Sequence, residues 1–127
     1  GYKNRGNSRF DLGDYKGAIE DYTQVLKINP NDADAYYNRG HARYDLGDYQ
    51  GAIEDYTQVL KMNPNDADAY YNRGHARYNI GDKQGIIDDF HKAADCYRKE
   101  GKLEEHKKAR EKILDLEIEE SLDILNF

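Results

Sequence analysis

The chain has 127 residues, 35% of them charged, and a formal net charge of −6. That balance argues against a nucleic-acid backbone as the main partner, because phosphate neutralisation needs a basic stripe. No apolar run approaches a membrane span and no signal peptide is visible, and the lone cysteine, Cys96, excludes an internal disulfide framework and fits a reducing, cytoplasmic setting.

The length suits one domain, but its elements recur. Residues 3–32 align with 37–66 and differ only at Lys3/Tyr37, Asn7/His41, Ser8/Ala42, Phe10/Tyr44, Lys16/Gln50 and Ile28/Met62. The stretch NPNDADAYYNRGHARY stands unchanged at 29–44 and at 63–78. A third copy runs from Ala67 to about Glu100 and drifts in its second half. The opening GYKNRG lacks Met, so a longer natural chain is the expectation.

Each copy reads as two helices. The first opens after Pro30-Asn31-Asp32, where Asn or Asp can cap free N–H groups. It covers Ala35–Tyr44 and stops at Gly47, a residue that tolerates the left-handed geometry of a helix end. Asp48 is placed to cap the second. There Ala52, Ile53, Tyr56, Val59 and Leu60 share one face, and Asn63-Pro64 ends it, since the residue before proline avoids the helical region. A helical hairpin of this size cannot bury its apolar face alone. Stacked copies can, so each must offer the same packing surface. In the third copy Arg98 replaces the closing proline, and the helix is expected to run on to a turn at Glu100-Gly101.

These residues resemble the tetratricopeptide repeat (TPR) family over about residues 1–100. The period matches, and Tyr36, Gly40, Gly47, Tyr49, Ala52, Tyr56 and Pro64 carry the family's small and aromatic positions in order. Tyr2, Gly6, Gly13, Tyr15, Ala18, Tyr22 and Pro30 repeat them. The resemblance implies an all-α solenoid of three TPR units (1–32, 33–66 and 67–100), with 101–127 as a capping or extension helix. Departures are Arg39 and Arg43, with Arg5/Arg9 and Arg73/Arg77, where the family has Leu and an aromatic, and Ile86 in place of Ala.

The resemblance also implies a groove lined by the first helices, which binds a peptide or helix of another protein. Its positions here are Lys3, Asn4, Asn7, Phe10 and Asp11; Tyr37, Asn38, His41, Tyr44 and Asp45; and Tyr71, Asn72, His75, Tyr78 and Asn79. Asn amides can pair with a peptide backbone in either direction, and an exposed row of Tyr would supply contact area. Duplication alone would also make such residues recur. Some family members clamp a terminal carboxylate with Lys, Asn, Asn, Lys and Arg. Lys3, Asn7 and Asn38 match, whereas Asp68 and Asn72 occupy the last two places and Asp68 would repel a carboxylate.

The Arg residues sit on the face that meets the second helix, where an unpaired guanidinium is costly. Asp55 lies on the packing side opposite Arg39 and Arg43, as Asp89 does for Arg73 and Arg77 and Asp21 for Arg5 and Arg9. Internal Arg–Asp pairs are expected; an Arg ladder for phosphate is the alternative.

Beyond the repeats, Leu103, His106, Ala109 or Arg110, Ile113 and Leu116 form one stripe suited to capping the stack. Leu114, Ile118, Leu122 and Leu125 form another. That second stripe either frays or packs, through Ile118–Phe127, on a second copy or in another molecule's groove. Cys96 reads as core, and the His residues lack metal-ligand spacing. No phosphate loop or catalytic constellation is present, so neither an enzyme nor a cofactor is expected. The reading is a protein-interaction scaffold. The alternative is self-association through repeat ends or Leu114–Phe127, since the incomplete first repeat leaves an edge to cover.

Overall fold

The computed structural model describes residues 1–126, and these fold into seven α-helices. They are α1 (Tyr2–Asp11), α2 (Tyr15–Ile28), α3 (Ala33–Leu46), α4 (Tyr49–Met62), α5 (Ala67–Ile80), α6 (Lys83–Lys99) and α7 (Leu103–Leu125). Two compact units result, Gly1–Pro64 and Asn65–Phe127.

Five of the seven helix starts, all but those of α1 and α7, follow one rule. Asp14, Asp32, Asp48, Asp66 and Asp82 are N-caps whose carboxylates accept the N–H three residues on. The first helices therefore begin earlier than Ala35, at Ala33, because Asp32 itself supplies the cap. At the other end Gly47 takes φ +90°, and its N–H bonds back to Arg43 and Tyr44 carbonyls.

In the first unit α1 pairs with α2, α2 with α3 and α3 with α4. Ala18, Tyr22 and Ala42 are buried together, with Phe10, Tyr15 and Ile19 packed around them. On α4 the apolar face Ala52, Ile53, Tyr56, Val59 and Leu60 is wholly buried. Each large side chain taken out of water there contributes roughly 1.5–3 kcal/mol. Gly40 is required by packing: a Cβ there would lie 2.9 Å from Tyr56 Cε1.

In the second unit α5 pairs with α6 and α6 with α7. α6 runs to Lys99 and Gly101 turns the chain at φ +75°. Cys96 is buried beside Ala93, Ala94, Tyr97 and Ala109. Burial pushes its thiol pKa up. Ala109 and Ile113 are buried and Leu116 half-buried, while His106 Nδ1 donates to the Ala94 carbonyl at 2.8 Å. Arg110 is exposed, and Leu103 too points outward, because α7 starts beyond the turn before it meets α6. The second stripe is on the far side of α7: Leu114, Ile118, Leu122 and Leu125 are 56%, 49%, 53% and 78% exposed. Phe127 lies outside the described residues.

Candidate functional site

The position of the arginines decides which charges remain for a ligand. In the middle repeat the buried Asp55 receives Arg39 through Nη2 at 2.8 Å and Nε at 3.0 Å, and Arg43 through Nη1 at 3.0 Å. Arg39 also donates to Thr23 Oγ1 at 3.1 Å and stands over the Tyr36 ring. Asp89 holds Arg73 and Arg77 in the same way, at 2.8 and 2.9 Å. Asp21 holds Arg5 and Arg9 at 2.7 and 3.2 Å. The Arg5 hydrogen bond keeps the Asp21 carboxyl below its ordinary range, against the pull of burial. These side chains join first helix to second helix inside each hairpin. They form no ladder of open cations.

The amide positions separate by where they face. Asn7, Asn38 and His41 meet with Phe10, Asp11 and Tyr22 around a cleft of about 280 Å³ between α1, α2 and α3. Tyr22 donates its hydroxyl to Asn7 Oδ1, which orients that amide. Asn4 is not in the cleft. It lies with Tyr2, Arg5 and Ser8 at another part of the α1 surface. Asn72 is half-buried on α5.

The aromatic row is less open than the sequence suggests. Tyr37 packs edge-on to His41 and Tyr56 (centroids 4.6 and 5.8 Å), and Tyr44 packs on Tyr49 at 5.3 Å. Tyr71 does the same with His75, Phe90 and Tyr97. The rings reach across to the second helix and are half-buried. Tyr78 alone of these four is exposed. His41 Nδ1 is 3.2 Å from the Tyr56 hydroxyl. On α5, His75 shares a cleft of about 190 Å³ with Tyr78, Phe90 and α7 residues Lys112, Asp115, Leu116 and Glu119. Burial, and then the Lys112 charge, lower the His75 pKa. Sequence reasoning missed that α7 walls this cleft. The Leu116 position in the first stripe was the available signal.

Two clamp positions are already engaged. Lys3 Nζ is 2.7 Å from Asp32 Oδ2. Burial works to raise the Asp32 carboxyl, but hydrogen bonds from Lys3 and the Ala35 N–H outweigh it and leave the pKa lowered. Asp68 accepts the Tyr97 hydroxyl. No group of three or more His, Cys, Asp and Glu side chains able to hold a metal occurs among the described residues. No helix among them is long and apolar enough to cross a membrane.

Comparison with solved structures places these hairpins among TPR domains. The second TPR domain of human RPAP3, solved with the HSP70 peptide SGPTIEEVD, is 28% identical, with TM-score 0.74 over 86% of this chain and 92% of that one. The first TPR of Spaghetti (RPAP3), bound to the HSP90 peptide SRMEEVD, is 22% identical with TM-score 0.83, over 94% and 90%. PcrH, in complex with the chaperone binding region of PopD, is 17% identical with TM-score 0.87, again over 94% and 90%. A sequence profile described as TPR repeat matches residues 6–47 and again 40–81. The matched span is more than half of the chain and carries the glycines, capping aspartates and helix pairs seen above, and on that ground the chain belongs to the TPR repeat family.

Proposed function

We propose that this chain is an interaction scaffold that binds an extended segment of another protein on the face of its first helices. The observation that carries the reading is the cleft between α1, α2 and α3, with Asn7 and Asn38 at its wall. Asn38 is half-buried, and its amide offers a donor and an acceptor to a passing peptide backbone. Orientation of Asn7 by the buried Tyr22 lowers the entropy lost on binding. The likeness to a human domain solved with a bound peptide supports the same reading. Lys3, Tyr37, His41 and Tyr44 belong to this face as supports, while Tyr71, Asn72, His75 and Tyr78 belong to a corresponding face on α5. Nothing is turned over in this reading; the chain positions a partner.

A peptide library selected on the wild-type chain and counter-screened on an Asn7→Ala/Asn38→Ala variant tests it. The expected result is a shared motif that the variant fails to bind. Equal binding by both proteins removes the cleft from consideration.

A second reading, self-association, draws on the exposed stripe of α7. It is opposed by charge: residues 114–125 carry five carboxylates and no Lys or Arg. End-to-end stacking on α6 is opposed too, because α7 already covers α6. If the stripes pair, mass by light scattering rises with concentration and rises further with salt. A constant monomer mass at high salt ends that reading.

A further inference from the structure

We infer that the face of α1 and α3 selects a basic segment, one with two Lys or Arg side chains about three residues apart. This rests on the reading of that face as the peptide site and adds the chemistry of the ligand.

The basic side chains of α1 and α3 are held by the chain's own carboxylates. On α1, Lys3 is held by Asp32, and Arg5 and Arg9 by Asp21. On α3, Arg39 and Arg43 are held by Asp55. α2 contributes the uncharged Tyr22 to the cleft. Among the six residues that line the cleft, Asp11 is the one carboxylate, and none is Lys or Arg. Its field reaches the cleft floor: after burial, Asp11 is the next cause that raises the Tyr22 hydroxyl pKa.

Beside Asp11 stands Phe10, with its ring set edge-on against Tyr15 at 5.4 Å. A ring face and a carboxylate side by side form a receptor for an ammonium or guanidinium group. One repeat on, Tyr44 is set against Tyr49 at 5.3 Å, and Asp45, next to it in sequence, is exposed. Asp45 acts on the buried Tyr56 in the same sense as Asp11 acts on Tyr22. α1 and α3 touch each other, both being packed on α2. Packed helix axes lie about 8–10 Å apart, and an extended peptide advances about 3.3 Å per residue. Two cations at i and i+3 therefore match the two acid–aromatic pairs. Between them the Asn7 and Asn38 amides meet the backbone. An acidic segment would find Asp11 and Asp45 opposite it and no unpaired lysine or arginine on the cleft wall.

The test measures binding of short, labelled, amidated peptides by fluorescence anisotropy. One carries Lys-x-x-Lys, and a matched one carries Glu-x-x-Glu. Side-chain amide NMR signals of Asn7 and Asn38 report where each binds. The wild type is compared with Asp11→Asn/Asp45→Asn, whose two positions are exposed and outside the Arg–Asp pairs described above. The expected result is preference for the Lys peptide, shifts at Asn7 and Asn38, and about tenfold weaker binding by the variant, as two exposed charge pairs supply. If the Glu peptide binds as well or better and shifts the same amides, the basic preference falls and the peptide site stands. If neither peptide shifts them, both fall. Lys-peptide binding that the variant leaves unchanged also overturns the inference, as attraction to the net charge of the whole chain.

Discussion

Asp55 shows what a single residue does here. It is buried, and two guanidinium groups converge on its two oxygens. A side chain in that setting is stabilising only while every partner is present, since removal of one leaves an uncompensated charge. Asp55→Ala is expected to cost about 3–5 kcal/mol in urea unfolding. Asp21→Ala is expected to cost less, because Arg5 is 55% exposed where Arg39 is 14% exposed, and water can replace the lost partner. His75 gives a pH effect of known sign. Its pKa is lowered in the folded chain, so the unfolded chain takes up the proton first as pH falls. Stability is then lost as pH drops through about 6.5, the ordinary histidine value, and is held above it. A His75→Gln variant is expected to flatten the urea midpoint across that window. The ion pairs were legible from the recurrence of Arg and Asp at fixed spacing. The burial of His75 was not, because it depends on α7, a distant segment of sequence.

Among the elements, α3 and α7 make contrasting cases. α3 is bounded by local chemistry: the Asp32 cap at one end and Gly47 at φ +90° at the other. Gly47→Ala is expected to lose about 1–2 kcal/mol, the cost of an L side chain in the left-handed region, measured again by urea midpoint. α7 has no side-chain cap; it is held by the face it buries. Ile113→Ala is expected to cost about 2–4 kcal/mol as a cavity in the α6–α7 contact. Ile118→Gln/Leu122→Gln is expected to leave the melting temperature nearly unchanged, since both side chains are already about half exposed. A marked drop in that variant would show that the outer stripe is covered in solution. Helical spacing in the sequence revealed both stripes of α7 and set the first against the stack. Only the structure shows that this stripe meets α6 through Ala109, Ile113 and Leu116 while Leu103 stays exposed, because contact depends on where the helix leaves the Gly101 turn.

At the scale of the whole molecule, repetition and charge combine. Three hairpins with the same internal ion pairs spend their arginines on their own carboxylates. The net charge of −6 then rests on acids outside those pairs, among them the exposed Asp11 and Asp45 and the five carboxylates of residues 114–125. Binding of a basic peptide should weaken steeply with salt, and a neutral peptide of the same length should not follow that trend.

The sequence by itself determined the all-α class, the repeat, the aspartate and glycine signals that bound α3 and α5, and the Arg–Asp partners. All of these follow from short-range rules: capping, helical periodicity and a spacing fixed by the repeat. The tertiary structure decided that Asn4 lies outside the cleft that Asn38 joins, that the tyrosine rings are half-buried, and that Lys3 is held by Asp32 and Asp68 by the Tyr97 hydroxyl. Each depends on which helix lies beside which. Identical letters in successive repeats do not carry that information, because their neighbours are not identical.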